Sequence, residues 1–477
     1  MSTAQRLAKN TFILSSSNII VLILGLLYSM YTTRYLGPER YGIISFALAF
    51  VSIFGIFTDL GLNALTVREI ARNKKLAKKF LGNLLLLKLI YVILTLAIIT
   101  IAINLTGHDK VTVDVVYLIY LSIVVGAFTG IFNAMFQAFE RIEFISMGNL
   151  LSSICMLLGA FYAINHGLDV MGYACIYIFS SLMVFIYSSI VFHKKLFKFV
   201  PEVDRGLIRP TLAEAVPFGL TALFGMIYTY VDSIMLSSFQ GNEVVGLYNA
   251  PYRLVLMLLF IPNVINVVIF PVMSRYYTSS PSFLKLMYTK YFKFMLILCL
   301  PIGIGTTLIA DKIILFVFGE SYTNSIIALQ ILIWTMVLIF AGAAFVRLLE
   351  STNRQRVITK ISLICVVVNI LLNLMLIPKL SYVGSSIATV LTEMVLVGSV
   401  IIFTYRSGYG IPLSAMKDYL LKIMFSSLIM SAFVLYLRSL HVIVLILSAG
   451  IVYFVSLYLV RGLDDEDILL FRQATRR

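Results

Sequence analysis

The chain has 477 residues, 60% of them hydrophobic and only 12% charged, with a formal net charge of +15. A soluble protein carries about 25% charged residues, so this composition excludes an ordinary soluble domain, and the excess of Lys and Arg has to be read against a membrane before it is read against nucleic acid. Apolar stretches of about 20 residues, the length a helix needs to cross a bilayer core roughly 30 Å thick, follow one another almost from end to end.

The first six predicted spans cover 11–33, 41–64, 81–104, 114–138, 145–164 and 170–192. The first is too long for the apolar region of a signal peptide and no small-residue cleavage site follows it, so it reads as a membrane helix. A basic connection with Pro201 and Pro210 comes next, and then spans 212–237, 245–272, 291–309, 325–348, 358–377, 383–405, 419–437 and 442–460. Each stretch is too long and too evenly apolar for a barrel strand, which alternates over about ten residues. Helices are the remaining way to satisfy the backbone inside lipid. The prediction is an all-α integral membrane protein of about 14 transmembrane helices.

With the N-terminus in the cytoplasm, Lys and Arg collect on the inner loops, the inner helix ends and both tails. The other side holds only Arg34, Arg40, Lys110, Lys312, Lys379 and Arg438, and Lys88 and Arg253 fall inside spans. That is the positive-inside distribution of a multi-pass protein of the cell membrane with both termini cytoplasmic. It makes basic runs such as Arg72, Lys74, Lys75, Lys78 and Lys79 topology signals, and no nucleic-acid partner is expected. Cys155, Cys175, Cys299 and Cys365 all fall within apolar spans without metal-type spacing and are read as small core residues.

The chain repeats itself. Gly37-Pro-Glu-Arg-Tyr-Gly42 and Gly241-Asn-Glu-Val-Val-Gly246 share the pattern G-x-E-x-x-G, each between an odd span and the next even one, 204 residues apart. Six spans separate the copies, so the halves share one orientation and are related by an axis along the membrane normal. The expected layout is a six-helix bundle (1–195), a cytoplasmic linker (196–211), a second six-helix bundle (212–406), and an extra pair of helices, 13 and 14, with a tail (407–477). Pro251, Pro262 and Pro271 interrupt span 8, and Pro301, Gly303 and Gly305 interrupt span 9. Such breaks either form hinges and expose backbone to a substrate, or only shape packing.

An ionisable group deep in a bilayer costs several kcal/mol by most estimates, so each asks for a reason. Glu393 is the deepest, about 15 Å from the outer start of span 12 at 1.5 Å per residue. It is either a proton or cation coupling site or a protonated structural group. Asp232 and Arg253 sit at similar depth on the two arms of a hairpin and are expected to pair. Arg253 could then offer its planar fork to a phosphate, or the pair could simply pin the hairpin. Lys88 and Asp59 lie at similar inner depth in spans 3 and 2, and the Lys88 stem could snorkel toward the interface. Arg34 closes the first span on the side poor in positive charge. No Walker loop, Ser/His/Asp arrangement or acidic pair in an external loop appears in the sequence, so no enzymatic activity and no bound cofactor are expected.

Arg34-Tyr-Leu-Gly-Pro-Glu-Arg-Tyr-Gly42, continued by Asp59-Leu-Gly-Leu-Asn and Arg68-Glu-Ile-Ala, resembles the first-hairpin signature of the polysaccharide-biosynthesis membrane proteins, the Wzx-type oligosaccharide flippases. Asp232-Ser-Ile-Met-Leu and Val245-Gly-Leu-Tyr-Asn-Ala-Pro-Tyr-Arg-Leu254 resemble the matching signature of the second half. The resemblance covers spans 1–12, with the last two fitting by topology. It implies the fold of the multidrug/oligosaccharidyl-lipid/polysaccharide (MOP) superfamily, also that of the MATE transporters: two six-helix bundles around a cavity open alternately to each side. It also implies a substrate, a sugar chain on a polyprenyl phosphate or diphosphate, moved from the inner to the outer leaflet. On that reading Arg34, Lys88 and Arg253 meet the anionic head group. Asp59, Asp232 and Glu393 serve pairing or ion coupling, with an H+ or Na+ gradient as a candidate driving force. Membrane lipids are partners, and glycan polymerases or glycosyltransferases are candidate ones. Two other readings stay open: an ion-coupled drug or metabolite exporter of the same superfamily, and a membrane glycosyltransferase or ligase.

Overall fold

The computed structural model describes residues 3–196, 204–411 and 413–463. Residues 197–203 of the 196–211 linker and the tail beyond 463 lie outside the described residues, and α7 already begins at Arg205 within that linker. Among the described residues the structure is helical, with no strand. Twelve apolar helical stretches are long enough to cross a membrane. Two of them are bent double, at Gly37 and at Ser381, so the number of passes comes to about fourteen.

The contacts divide the chain into two compact units, residues 1–249 and 250–477. The first begins with α1 (Thr3–Gly55), which holds the first two spans on either side of Gly37. Gly37 takes a positive φ of 72°, a conformation glycine adopts without cost, and Pro38 follows it. Then come α2 (Leu62–Arg72), α3 (Ala77–Leu105), α4 (Lys110–Ala138), α5 (Ile142–Asn165), α6 (Val170–Lys195), α7 (Arg205–Gln240) and the start of α8 (Asn242–Leu258). Helices α4, α5 and α6 pack on one another, and α1 packs on α4, α5 and α7. α7, which opens the second sequence repeat, thus belongs by its contacts to the first compact unit.

The second unit holds the rest of α8, then α9 (Phe260–Ser279), α10 (Pro281–Leu308), α11 (Ala310–Val317), α12 (Ser325–Ser351), α13 (Gln355–Arg406), α14 (Leu413–Tyr436) and α15 (Val442–Leu459). The extra pair α14 and α15 is seated on α10 and α11. Tyr453 donates to the Ile297 carbonyl at 2.8 Å, Lys312 to the Leu440 carbonyl at 2.9 Å, and Arg438 pairs with Asp311 at 2.9 Å. The proline-rich spans behave differently from each other. Span 8 is interrupted at Leu259 between α8 and α9, whereas α10 runs on through Pro301. In α10 the glycine serves packing, because a Cβ on Gly303 would press into Val337 of α12.

Two expectations need correction. Span 2 does not run to residue 64: α1 stops at Gly55, a short 3-10 turn covers Ile56–Thr58, and the chain reverses through Leu60 and Gly61, with φ of 44° and 84°. Positive φ is costly for leucine, so packing must hold it there. Nor are all the cysteines core residues, since Cys299 and Cys365 are buried but Cys155 is half-buried and Cys175 exposed. Lipid and protein core are equally apolar, so an apolar neighbourhood in the sequence does not separate the two.

The repeat has a physical counterpart inside the first unit. A Cβ on Gly42 would collide with the Asn242 carbonyl, and a Cβ on Gly246 would collide with the Pro38 carbonyl. Positions 38 and 242 correspond across the 204-residue offset, as do 42 and 246. The contact is therefore reciprocal, as an approximate two-fold relation requires. Gly42→Ala or Gly246→Ala is expected to cost about 1–3 kcal/mol through overpacking, read as a lower thermal midpoint of the purified protein in detergent. Gly25→Ala, at a position where a Cβ meets nothing within 4 Å, should leave the midpoint unchanged or raise it slightly.

Candidate functional site

The break in span 2 creates the first polar centre. Because α1 ends early, Asp59 sits in the reversal between helices, with one carboxylate oxygen accepting the Asn63 backbone N–H at 3.3 Å. Its other oxygen accepts from Lys88 of α3 at 2.8 Å, and the same ammonium donates to the Ala127 carbonyl of α4 at 2.9 Å. The Lys88 side chain is fully buried, while that of Asp59 keeps 22% of its surface exposed. Lys88 therefore turns inward to a carboxylate and does not reach for the interface, as it does not need to snorkel once it is neutralised. The pair joins α3, α4 and the broken helix at one point, and Asp59 is its open side.

Beside it, α2 and α7 meet closely. A Cβ on Gly61 would collide with the Ala215 carbonyl and one on Gly219 with the backbone of Leu60, so two glycines let the reversal lie against α7. Arg68 closes this end with ion pairs to Glu69 at 2.8 Å and to Glu214 of α7, and stacks over Phe218 at 5.7 Å. The hydrogen bond to Glu214, followed by that to Glu69, holds its guanidinium proton affinity above the ordinary value. Asn83 of α3 exchanges two 3.0 Å hydrogen bonds with the backbone of Asp204, just before α7.

At the far end of α7, Asp232 is buried and accepts from Tyr248 of α8 at 2.8 Å. Next to it Asn249 donates to Ser233 at 2.9 Å. The hairpin thus registers residue 232 against 248 and 233 against 249. Arg253 follows five residues after Tyr248, half-buried, in the second unit. Arg34 is exposed. In the second unit Glu393 is buried on a polar stripe of α13, where Ser385 and Thr389 lie at four-residue spacing before it and are buried too. The other arm of α13 carries Cys365, Asn369 and Asn373 at the same spacing, all buried, with Asn373 donating to Asn369 at 3.1 Å.

Comparison with known proteins bears on what these side chains serve. The sequence pattern described as polysaccharide biosynthesis protein matches residues 7–277. The chain belongs to that family. A probable low-salt glycan biosynthesis flippase of Haloferax volcanii is 22% identical, over 81% of this chain and 81% of its own. A capsular polysaccharide biosynthesis protein of Staphylococcus aureus is 23% identical over 82% of this chain and 97% of its own. Among solved structures, a lipid II flippase, MurJ, in an inward closed conformation superposes with a TM-score of 0.77 at 17% identity, covering 94% of this chain and 99% of that one. An inward-facing multidrug resistance MATE transporter of the MOP superfamily gives 0.68, also at 17% identity, covering 86% and 99%. These likenesses show that the chain shares the fold of those two structures.

For this member of the polysaccharide biosynthesis family, the structure joins Asp59 to Lys88, a partnership that depth along separate spans does not reveal. It also shows Tyr248 as a partner of Asp232. Thr58-Asp-Leu-Gly-Leu-Asn63 carries the signal for the break, since Asp, Gly and Asn together mark turns. Lys88→Ala should leave the half-buried Asp59 carboxylate without its cation and open a cavity where the Lys88 stem packed, at a cost of about 2–3 kcal/mol, seen as reduced recovery of folded protein and a lower midpoint in detergent. The double change Asp59→Leu with Lys88→Met should recover most of that stability and none of the transport.

Proposed function

We propose that this protein is a flippase: it moves an oligosaccharide linked to a polyprenyl phosphate or diphosphate from the cytoplasmic to the outer leaflet, for the assembly of a cell-surface glycan. The reading is carried by ionisable side chains kept at membrane depth in a chain of the polysaccharide biosynthesis family. A scaffold has no need of such groups, and a sugar–phosphate head group needs polar, cationic surroundings to cross hydrocarbon. The names of the relatives, glycan biosynthesis flippase and putative O-antigen transporter among them, support the same substrate class. They are transporters, and transport is the activity we assign, not catalysis.

Arg34 and Arg253 are the cations assigned to the head group, because a guanidinium grips two phosphate oxygens at once. Lys88 has a different part. It meets an anion only by giving up Asp59, so substrate and Asp59 compete for one ammonium. When the head group takes Lys88, Asp59 is released to accept a proton or a sodium ion. That exchange, with Asp232 and Glu393 as further candidates, is how an H+ or Na+ gradient would be coupled to movement. The protein lies in the cell membrane with both termini in the cytoplasm, and glycosyltransferases supply its substrate while a polymerase or ligase consumes its product.

Lipid extracts from cells lacking the gene should accumulate one polyprenyl-linked oligosaccharide, measured by mass spectrometry. The wild-type gene should clear it, and an Arg253→Ala copy should clear it at least tenfold more slowly. No build-up, with altered sensitivity to small toxic compounds instead, would replace this reading with the exporter. In proteoliposomes, Glu393→Gln should abolish the acceleration of flipping by an imposed ion gradient, while leaving flipping down the substrate's own gradient measurable. Equal acceleration in the variant would remove Glu393 from coupling.

A further inference from the structure

Helices α3 and α6 both pack on α4, and along the face of α4 between them the packing leaves two hollows. The outer one, about 670 Å³, is lined by Val92 and Leu96 of α3 and by α4 from Asp114 to Val124. Asp114 has Lys110 one turn before it, so that rim carries no net charge to select a head group. The inner one, about 220 Å³, is lined by Leu81 and Leu85 of α3, Phe128 and Phe132 of α4, and Phe185 and His193 of α6. Leu81 and Phe132 are buried, and Leu85, Phe128 and Phe185 are half-buried. Phe132 is held by ring contacts with Phe185 at 5.8 Å and Phe192 at 5.2 Å.

The inner hollow opens toward lipid. Leu86 and Leu89 of α3 and Leu182 and Ile186 of α6, which neighbour its lining, are exposed. From Phe185 to His193 the helix advances about 12 Å at 1.5 Å per residue, against about 15 Å for one leaflet of a core roughly 30 Å thick. The hollow thus has the depth that a hydrocarbon chain of one leaflet fills.

Its mouth is cationic. Lys78 lies one turn before Leu81, and Lys194 and Lys195 follow His193. All three lysines are exposed, and none has an ion pair among the described residues. Nearby, Lys79 holds Asp204 at 3.2 Å and Arg141 holds Glu143 at 3.4 Å, while Glu140, past the end of α4, is exposed. Three lysines against that one carboxylate leave a positive rim. The His193 Nδ1 donates to the Ser189 carbonyl at 2.7 Å, which fixes the ring at the lip.

We propose that the inner hollow is the binding site of a membrane phospholipid with an anionic head group. One chain lies between α3 and α6, and the phosphate is held by Lys78, Lys194 and Lys195. Basic pockets between helices on the cytoplasmic side recognise such head groups, and the distribution of Lys and Arg assigns this end of the helices to the cytoplasm. A polyprenyl chain, longer than one leaflet is deep, would leave most of its length outside a hollow of this depth. A phospholipid chain seated there fills the space between two helices joined through α4, and it braces α3, the helix that carries Lys88.

Native mass spectrometry of the full-length protein, delipidated in detergent and titrated with a phosphatidylglycerol or a phosphatidylcholine of the same chains, reads occupancy. The first anionic lipid should bind about fivefold or more tighter than the zwitterionic one. Lys78→Gln combined with Lys194→Gln and Lys195→Gln should remove that preference. The three lysines are exposed, so the variant should keep its thermal midpoint in the absence of lipid. A phosphatidylglycerol with a photoreactive diazirine on one chain should label the wild-type protein around Leu85, Phe128 and Phe185, in preference to the outer hollow. Equal affinity for the two lipids, a preference that survives in the triple variant, or labels scattered over the apolar surface overturns the proposal. Tighter binding of a polyprenyl phosphate overturns it too, and would give the hollow to the carrier lipid. No sugar enters these readouts, so failure of the flippase reading would appear separately.

Discussion

Hydrocarbon is as apolar as leucine, so helices in a bilayer gain little by hiding apolar side chains from it. The surface of this chain shows the consequence. Ile93, Leu94, Ile101 and Leu105 of α3 and Leu447, Ile451 and Phe454 of α15 are exposed. What holds helices together in such a solvent is close backbone approach and satisfied polar groups, and both are concentrated at few places. Gly42 and Gly246 let the repeat turns meet carbonyl to glycine, and Gly61 and Gly219 do the same at the broken end of span 2. The remaining specificity comes from polar links between helices: Lys88 to Asp59 and the Ala127 carbonyl, Asp232 to Tyr248, Asn83 to Asp204.

These contacts also bear on motion. A transporter has to exchange one set of contacts for another, and an interface made of a few polar bonds and glycine crossings can be exchanged at modest cost. A broad interlocked core cannot. The first unit carries such contacts at both ends of α7. Toward the N-terminus of α7 stand the Arg68–Glu214 pair and the Gly61–Gly219 crossing, and toward its C-terminus stand the His108–Ser237–Asn242 chain and the repeat turns. α7 is the helix on which both sets converge, which explains why it sits with the first unit although it begins the second repeat.

The ionisable groups divide along the same line. Lys88 is buried and already neutralised, so its chemistry is conditional on Asp59, whereas Arg34 is exposed. Glu393 lies on a stripe of small hydroxyl side chains in α13. Such side chains can solvate a proton or a cation, and a purely apolar helix cannot.

Composition, span length and the asymmetry of Lys and Arg sufficed to establish an all-α membrane protein, because lipid leaves the backbone no other way to bond and because charge at a loop is read by position alone. The 204-residue repeat and its two G-x-E-x-x-G turns were equally legible, since a repeated turn repeats its glycines. That Glu393 and Lys88 fall within apolar spans followed from counting residues. Their partners did not. Whether Lys88 snorkels or turns to Asp59 depends on the reversal at Leu60 and Gly61, which is held by α7 from 150 residues away. Whether Cys175 faces lipid or core depends on helix rotation, which an apolar sequence does not encode when both sides are apolar. And the contact of His108 with Ser237 depends on where α7 ends, 129 residues further along the chain. Only tertiary packing decides such things, because each is a matter of which polar atoms are within 3 Å of one another and not of which residues are near in the chain.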